Sequence, residues 1–430
     1  MKIEIINTGS ELMLGRVLNT HQQWLCRQLA DRGYLVARQV AVADTAADIR
    51  QAVSEAVTRA DLVITTGGLG PTSDDLTRDA IADLLGLALH EDPAIWARIQ
   101  SWFAARKRPL PASTRVQAQV PDGARVLPND HGTAPGLLLD ASGAADGRRP
   151  AWLVMLPGPP RELRPMFLEQ VIPWLEGAFP TGAPFVCRTL RTTGIGESLV
   201  QEHIAGPLGE QVGAGLEIGY CARPGEVDVR LAARGERAQD LVGQAVALTR
   251  RLLRPFIFGE AEDSLEAVVV RELTAQGKTL VVAESCTGGR LASRITDVPG
   301  ASVVFRGGVV SYSNELKHAL LGVSAEVLAE HGAVSEPVAR MMAEGARARL
   351  GADYALALTG IAGPGGGTEA KPVGTVFIAL ATPRQTTATR ECNRYDRDTF
   401  KGISTQQALE LLRRELVRSR DPGASTEAAS

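Results

Sequence analysis

The chain has 430 residues, 44% of them hydrophobic, which is enough for two or three domains with substantial cores. Its formal net charge is only −3, so the composition predicts no general attraction to nucleic acids or to anionic membranes. No stretch of about 18 consecutive apolar residues occurs, and we therefore expect no membrane span.

The first part of the chain alternates between strand and helix patterns. Predicted strands cover residues 3–7, 35–42, 61–66 and 151–156, and predicted helices cover residues 20–31, 46–58 and a segment that ends at Leu85. This alternation predicts an α/β fold over residues 1–180, with a doubly wound parallel sheet and helices on both faces. The ligands of such sheets bind where the strands end.

A glycine-rich loop, TGGLGPTSDD, begins at the end of the third predicted strand and covers residues 66–75. Backbone N–H groups in such a turn can form a nest for an anion. The adjacent acids Asp74 and Asp75 would repel a phosphate unless they hold a metal ion or position a water molecule. The loop therefore favours a pyrophosphate site with Mg²⁺ or a similar hard cation, and helix capping by Ser73 and Asp74 is the simpler alternative.

Four segments of this part resemble the molybdopterin-binding fold as it occurs at the N-terminus of the CinA family. They are GSELMLG at residues 9–15, TGGLGPTSDDLT at 66–77, NDHGTAPG at 129–136 and LPGPPREL at 156–163. The fold is similar to that of the MoaB and MogA molybdenum-cofactor proteins. The resemblance implies an ADP-ribose pyrophosphatase activity that uses a divalent cation, Mg²⁺, Mn²⁺ or Co²⁺.

The same resemblance implies roles for individual residues of this domain. The implied contacts of the diphosphate are Gly67, Gly68, Gly70 and Thr72. The residues implied to handle the metal ion or water are Asp44, Asp74 and Asp75, and Glu11 and Glu162 would lie near the substrate. His21 departs from the pattern, because much of the family is expected to have Asn there.

The middle of the chain, residues 181–259, has a different pattern. Predicted strands cover residues 188–193, 216–222 and 226–233, and predicted helices cover 196–205 and 239–253. This β-α-β-β-α order indicates a small α+β module similar to the KH-type middle domain of CinA proteins. We expect a spacer or dimer element rather than an RNA-binding domain, because acids offset the arginines and no GxxG loop is expected between two helices.

The last domain, residues 260–416, carries a serine and a lysine at two predicted strand–helix junctions. An apolar strand at 279–283 leads to Ser285, and a strand at 308–313 leads to a helix at 314–321 that contains Lys317. Such junctions lie at the carboxyl edge of a sheet beside unpaired helix N–H groups. The chain has six lysines and 40 arginines, and only a lysine can lose its proton when desolvated. The simpler alternative is a solvated lysine and a capping serine.

Several motifs here resemble the C-terminal domain of the CinA family, whose active members are nicotinamide mononucleotide deamidases. They are AESCTGG at 283–289, SYSNELK at 311–317, HGAVSEP at 331–337, TGIAGP at 359–364 and KPVGT at 371–375. The resemblance implies Ser285 as the nucleophile, completed by Tyr312 and Lys317, with no cofactor. We interpret Cys286 as a packing residue. The predicted substrate contacts are Thr287, Gly288, Gly289, Asn314, Thr359, Gly360 and Gly363.

Together these resemblances predict a bifunctional enzyme of pyridine-nucleotide recycling. It would convert nicotinamide mononucleotide to nicotinate mononucleotide and ammonia, and ADP-ribose to AMP and ribose 5-phosphate. The alternatives are an interaction protein linked to competence and DNA damage that associates with RecA, or a molybdopterin-binding protein with an inactive N-terminal domain. We also expect a homodimer that contacts neither nucleic acid nor membrane directly.

The five cysteines are scattered and have no CxxC spacing. This pattern favours a reducing, cytoplasmic location over a disulfide framework or a zinc site. The chain starts directly with a strand-like segment, so we expect no signal peptide. Residues 417–430 are expected to form a disordered tail, because the last ten are small and polar.

Overall fold

The computed structural model describes residues 1–145 and 151–420, which form two compact units. The first unit comprises Met1–Cys187 together with Arg234–Glu236. The second comprises Arg188–Ala233 and the described residues from Arg237 onward. Most of the middle segment, which its pattern predicts as a separate domain, is thus part of the same compact unit as the C-terminal domain, and residues 181–187 and 234–236 belong to the first unit.

The first unit is an α/β fold, as predicted. Its strands are β1 (Ile3–Thr8), β2 (Val36–Val42), β3 (Leu62–Thr66), β4 (Leu89–Glu91), β5 (Gln119–Pro121), β6 (Arg125–Leu127), β7 (Gly136–Asp140) and β8 (Trp152–Leu156). Its α-helices are α1 (Ser10–Met13), α2 (Thr20–Ala30), α3 (Ala46–Val57), α4 (Thr77–Leu85), α5 (Pro93–Ala105), α6 (Pro160–Met166) and α7 (Ile172–Ala178). A 3₁₀-helix covers Ala112–Ala118, another covers Ser142–Ala145, and a π-helical turn covers Phe167–Val171.

The main sheet has the strand order β2-β1-β3-β8-β7-β6. The first four strands are parallel, and β7 and β6 add to the edge in antiparallel fashion, which the alternation of elements does not predict. Helices pack on both faces, as predicted. Ile6 of β1 packs in one core with α3, α4 and α5, whereas its neighbour Ile5 packs in the opposite core with α2.

The carboxyl ends of β1, β3 and β8 lead into loops at one edge of this sheet. The loop after β3 begins with Gly67, whose N–H donates to Leu156 O at the end of β8 (3.0 Å). Gly68 has a φ of 66°, and a Cβ atom on it would lie 2.1 Å from the Thr77 hydroxyl. Only glycine fits this turn, because any side chain would meet both backbone strain and a steric clash.

The second unit contains nine further strands in its described residues. They are β9 (Phe185–Thr193), β10 (Glu217–Arg223), β11 (Glu226–Arg234), β12 (Ile257–Glu260), β13 (Leu280–Glu284), β14 (Phe305–Val310), β15 (Tyr354–Gly360), β16 (Thr375–Ala381) and β17 (Thr386–Cys392). Its helices are α8 (Glu197–Ala205), α9 (Gly209–Gly213), α10 (Ala238–Leu252), α11 (Leu265–Ala275), α12 (Arg290–Thr296), α13 (Asn314–Leu321), α14 (Ala325–His331), α15 (Glu336–Leu350) and α16 (Arg397–Arg420), with a 3₁₀ turn at Ala301–Val303.

The middle module contains a four-stranded sheet of order β10-β11-β9-β12. One expectation about it was wrong: Gly206-Pro207-Leu208-Gly209 is a GxxG segment between α8 and α9. Helix α9 has only five residues, too short to show a helical period in the sequence. The segment contains no Lys or Arg, and Leu208 is fully buried. It therefore offers no cation to a nucleic-acid phosphate.

The C-terminal part has a five-stranded sheet of order β14-β13-β15-β16-β17. Strands β14, β13 and β15 are parallel, and β16 and β17 are antiparallel. Helices α11 and α16 pack on one face and α15 on the other. Because α16 continues to Arg420, residues 417–420 are helical, which corrects the expected start of the tail. Residues 421–430 lie outside the described residues. No helix in the described ranges is both long and apolar enough to cross a membrane.

Candidate active sites

Ser285 lies at the carboxyl edge of the C-terminal sheet, directly after β13. Every residue of β13 is buried, and the N–H of Ser285 donates to Leu358 O on the neighbouring strand β15 (2.9 Å). This bond fixes the backbone of the serine where the strand ends. The side chain is only 8% exposed, so a substrate that reaches its hydroxyl leaves bulk water behind.

Lys317, on α13, is directed at this serine. Its Nζ lies 3.1 Å from Ser285 Oγ, 2.9 Å from Ser311 O and 3.3 Å from Tyr312 O. The side chain is 1% exposed. The two predicted strand–helix junctions therefore bring the hydroxyl and the amine together, as the motif spacing suggests.

Burial lowers the pKa of Lys317 below its ordinary value, because desolvation disfavours the charged ammonium. In its neutral form the amine has two N–H bonds and one lone pair. The carbonyls of Ser311 and Tyr312 can accept the two N–H bonds, and the lone pair is then left for the hydroxyl proton of Ser285. This is the arrangement of a general base beside a nucleophile.

Cys286, the rival nucleophile, is buried in the core that includes β13 and α16. Desolvation raises the pKa of its thiol to about 12. Because the thiolate is the reactive form, a thiol with this pKa remains protonated and unreactive near neutral pH. The geometry therefore agrees with the interpretation of Cys286 as a packing residue.

The turn after Ser285 has fewer free amides than the sequence suggests. The N–H of Gly288 donates to Ser285 O (3.1 Å), and the N–H of Gly289 donates to the Glu284 carboxylate (3.0 Å). Within the described part of the chain, the N–H groups of Cys286 and Thr287 have no acceptor. These two amides, rather than those of the glycines, are available to a developing oxyanion.

Glu284 holds this turn against the start of α12. Its carboxylate is fully buried and accepts the N–H groups of Gly289 (3.0 Å), Leu291 (3.0 Å) and Ala292 (2.8 Å). A carboxylate at this position satisfies helix N–H groups that otherwise have no partner. Because Glu284 directly precedes Ser285, the same contacts fix the backbone of the serine.

In the described part of the chain, the hydroxyl of Tyr312 makes no hydrogen bond with Ser285 or Lys317. Tyr312 is 60% exposed, and its hydroxyl lies 2.9 Å from a guanidinium nitrogen of Arg397. Arg397 also donates to Gly363 O (3.0 Å), so one guanidinium connects the glycine-rich loop to the tyrosine. The backbone carbonyl of Tyr312 thus contacts Lys317, whereas its side-chain hydroxyl contacts Arg397.

The other residues predicted to contact the substrate differ in their burial and in their hydrogen-bond partners. The Thr359 hydroxyl donates to Ala333 O (2.7 Å) and ties the end of β15 to the HGAVSEP segment. Gly360 packs closely against β16, where a Cβ atom would lie 2.7 Å from Thr375 O. Asn314 is exposed in the first turn of α13. Thr287 is fully buried, and its hydroxyl has no hydrogen-bond partner among the described residues.

In the first unit, a cavity of about 590 Å³ lies at the carboxyl ends of the parallel strands. Every residue that the sequence assigns to this site lines it: Glu11, Asp44, Gly67, Gly68, Gly70, Thr72, Asp74, Asp75 and Glu162. His21 lines it as well. Segments that are far apart in the sequence therefore converge on one site.

The loop after β3 presents free amides to this cavity. The N–H groups of Gly68, Leu69 and Gly70 have no acceptor among the residues that the structure describes. Asp75 closes the loop, because its carboxylate accepts both the N–H (2.9 Å) and the hydroxyl (2.5 Å) of Thr72. Consecutive unpaired amides in such a turn can form a nest for an anion.

The predicted metal ligands do not form a compact cluster. Asp75 holds the loop, and Asp44 accepts the N–H of Ser10 (2.7 Å). In residues 1–145 and 151–420, no three His, Cys, Asp or Glu side chains are close enough together to hold a metal ion. Asp74 is exposed, and the pKa of its carboxyl is lowered from its ordinary value.

The cavity lining is acidic. It contains five carboxylates, and none of the described residues that line it is Lys or Arg. Carboxylate oxygens are the donors that hard divalent cations prefer, so the donor chemistry fits a cation of this class. An anionic ligand in such a cavity needs a counter-charge that the lining itself does not supply.

Known proteins resemble this chain over nearly its whole length. Family models match residues 4–177 as "Probable molybdopterin binding domain", 187–259 as "Damage-inducible protein CinA KH domain" and 262–416 as "CinA C-terminal domain". A CinA-like protein of Akkermansia muciniphila is 47% identical over 411 residues, which cover 95% of this chain and 96% of that protein. The chain belongs to the CinA family.

Two further comparisons place this CinA-family chain among its relatives. A CinA-like protein of Gemmatimonas aurantiaca is 43% identical over 423 residues and covers 97% of each chain. Among solved structures, a CinA superfamily protein of Klebsiella pneumoniae is 37% identical, with a TM-score of 0.35, and covers 36% of this chain and 96% of its own.

Three residues of this CinA-family chain contact its two sites, yet the motifs assign them no role. Glu284 lies inside AESCTGG, and an acid at the end of an apolar strand, directly before the serine, is a signal that could have found it. Arg397 and Gln117 lie outside the motifs, and they reach their sites only through tertiary folding. No local pattern in the sequence distinguishes them from other arginines and glutamines.

Proposed function

We propose that the C-terminal site hydrolyses the carboxamide of nicotinamide mononucleotide. The observation that carries this proposal is the buried Lys317 amine, which lies 3.1 Å from Ser285 Oγ and has two backbone carbonyls around it. A neutral lysine beside a serine activates that serine toward a carbonyl carbon. Because the chain belongs to the CinA family, nicotinamide mononucleotide is the amide substrate that we propose.

The chemistry follows from the positions of these groups. Lys317 takes the proton of the Ser285 hydroxyl as Oγ bonds to the carboxamide carbon, and the carbonyl oxygen becomes an oxyanion. The amides of Cys286 and Thr287 stabilise this oxyanion. Lys317 then returns the proton to the leaving nitrogen, and ammonia departs. Water, deprotonated in its turn by Lys317, cleaves the acyl-serine and releases nicotinate mononucleotide.

Substitution of the nucleophile tests this proposal. Ser285→Ala should lower ammonia release from nicotinamide mononucleotide by about 10³-fold or more, because loss of a nucleophile typically removes orders of magnitude. Cys286→Ala, at the adjacent buried position, is the matched comparison and should keep most of the activity. An active Ser285→Ala protein together with an inactive Cys286→Ala protein would reverse the assignment.

We propose a second activity, the hydrolysis of ADP-ribose to AMP and ribose 5-phosphate, in the cavity of the first unit. The three free amides at Gly68–Gly70 support a bound diphosphate. Asp44, Asp74 and Asp75 line the same cavity; because they form no compact cluster, they would position water or share a divalent cation with the diphosphate oxygens. Such a cation would neutralise the diphosphate and polarise its phosphorus–oxygen bonds.

A chromatographic assay tests this second activity. The protein is incubated with ADP-ribose and Mg²⁺, Mn²⁺ or Co²⁺ in turn, and AMP with ribose 5-phosphate is the expected pair of products. If none of the three cations gives products, the first unit is better described as a binding module. Homodimer formation and association with RecA stay predictions, to be measured by light scattering and by pull-down.

A further inference from the structure

Two side chains that line the cavity of the first unit have hydrogen-bonding atoms without a partner among the described residues. Gln117, in the 3₁₀-helix Ala112–Ala118, is 3% exposed and lines the cavity. Its Nε2 lies 3.5 Å from Leu69 O, and its Oε1 has no partner in the described part of the chain. Nδ1 of His21, which also lines the cavity, is buried and likewise unpaired.

Unpaired buried polar atoms are rare, because each loses its hydrogen bonds to water without a replacement. Burial lowers the pKa of His21, which favours the neutral ring. A neutral imidazole has a proton on one nitrogen and a lone pair on the other, and the lone pair lies on Nδ1 when Nε2 carries the proton. The amide oxygen of Gln117 is therefore an acceptor at the cavity, and Nδ1 of His21 is one in that tautomer.

The remaining lining adds further acceptors. It offers five carboxylates, none of its described residues is Lys or Arg, and both the free amides of the Gly68–Gly70 nest and threonine hydroxyls can donate. Gln117 is adjacent to that nest through its contact with Leu69 O. A ligand whose phosphates bind the nest would place its neighbouring hydroxyl or amine groups among these acceptors.

We propose that Gln117, with His21, determines the specificity of this cavity by accepting hydrogen bonds from the donor groups of a nucleotide sugar. This inference rests on the proposed ADP-ribose function and names how that substrate is recognised. The donor that reaches Gln117 is a ribose hydroxyl or the exocyclic amine of adenine. Both can donate an N–H or O–H hydrogen bond to the Gln117 oxygen, and nucleotides that lack one or the other donor distinguish them.

Binding is measured by titration calorimetry with three probes, with Ca²⁺ in place of Mg²⁺ and a chromatographic check that no probe is cleaved during the titration. ADP-ribose carries both donors, IDP-ribose lacks the exocyclic amine, and ADP lacks the terminal ribose. Gln117→Met removes the acceptor with little change in volume and should weaken ADP-ribose about 5- to 20-fold, the effect of one buried hydrogen bond. Gln51→Met, on the exposed side of α3, is the matched control and should bind as the unmodified protein does.

The probes then identify the donor. If Gln117 accepts from the amine, the Gln117→Met effect disappears with IDP-ribose. If it accepts from the terminal ribose, the effect persists with IDP-ribose and disappears with ADP, and an effect with all three probes assigns the adenosine ribose. His21→Asn keeps a side-chain acceptor and should bind ADP-ribose more tightly than His21→Leu.

Two outcomes overturn the inference, and they can be told apart. In the first outcome, the unmodified protein binds ADP-ribose, the affinity of Gln117→Met is within about twofold of it, and His21→Leu binds as tightly as His21→Asn. The specificity role is then wrong, and the proposed function stands. If the unmodified protein does not bind ADP-ribose with any divalent cation, the proposed function fails and the inference fails with it. Calorimetric melting of each variant shows whether a lost affinity reflects unfolding.

Discussion

At the scale of single residues, Lys317 is the group on which the deamidase proposal depends. A lysine can be a base only when it is neutral, and its 1% exposure favours the neutral form. Arginine at the same position would stay charged at any accessible pH. The proposal therefore requires a group that can lose its proton, and a positive charge alone is not enough. Substitution by Arg and by Ala distinguishes a base from a charge.

We predict that Lys317→Arg is nearly as damaging as Lys317→Ala, with a loss of about 10³-fold in kcat. A permanently charged guanidinium cannot accept the Ser285 proton. Steady-state ammonia release measures the loss. Lys278→Arg, at a half-exposed lysine paired with Asp353 (3.1 Å), is the matched control and should keep full activity. If the Lys317→Arg protein kept most of its kcat, Lys317 would have only an electrostatic role.

The pH dependence of the deamidase provides an independent prediction. The pKa of Lys317 is lowered from its ordinary value of 10.5, and the neutral amine is the active form. Activity should therefore be absent at low pH, rise as the pH passes through the lowered pKa, and level off below pH 10.5. A profile of kcat/KM against pH reports this pKa of the free enzyme. A rise only near pH 12 would instead follow the Cys286 thiol, whose pKa is about 12.

At the scale of elements, the junction of β13 and α12 depends on Glu284. Its carboxylate accepts three backbone N–H groups, and the residue is fully buried. Gln at this position has one oxygen, and its NH₂ group would face at least one of these donors. Leaving a buried donor unpaired costs about 1–3 kcal/mol.

We therefore predict that Glu284→Gln lowers the free energy of unfolding of the second unit by about 1–3 kcal/mol. Urea denaturation followed by circular dichroism measures the change. Glu326→Gln, at an exposed site in the first turn of α14, is the control and should change stability by less than about 0.5 kcal/mol. Equal effects of the two substitutions would show that the three backbone contacts are energetically unimportant. Deamidase activity should fall with Glu284→Gln, because the same contacts position Ser285.

Some helices and strands are predictable from the sequence, and others are not. Strands such as β3 and β13 are predictable because continuous apolar runs identify buried parallel strands, and α13 has the predicted bounds because Ser313 caps it. The three-residue strands β4, β5 and β6 show no period to detect. The antiparallel direction of β7 and β16 depends on tertiary pairing, which a local pattern does not contain.

The same distinction holds for the candidate sites. The glycines of the first cavity, with Asp74 and Asp75, are identifiable because they lie together in one loop that ends a strand, whereas Glu11, Asp44 and Glu162 follow only from the family resemblance. Gln117 is not, because it is isolated in the sequence and reaches the cavity through a 3₁₀-helix after α5. The family resemblance implies that Tyr312 completes the catalytic set, and in the structure its hydroxyl lies beside Arg397. The orientation of a side chain depends on the residues around it, and many of these come from segments that are distant in the sequence.

At the scale of the whole molecule, the two proposed activities use different chemistry in different units. The serine–lysine site needs a neutral amine and backbone amides, and all of them belong to the second unit. The cavity of the first unit contains five carboxylates, and no basic Lys or Arg side chain is among its described lining residues, so an anionic diphosphate there needs a cation. The two sites should therefore respond differently to removal of divalent cations.

We predict that EDTA stops ADP-ribose cleavage while deamidation of nicotinamide mononucleotide continues at close to its normal rate. Asp74→Ala should act as EDTA does on the first activity alone, because Asp74 is the exposed, ionised acid beside the nest. Asp83→Ala, at an exposed acid of α4 that pairs with Arg50 (2.8 Å), is the matched control and should leave both activities intact. Both products are followed by chromatography in the same sample. Loss of the deamidase on chelation would contradict the serine–lysine assignment, and ADP-ribose cleavage that is indifferent to EDTA would remove the cation from the first site.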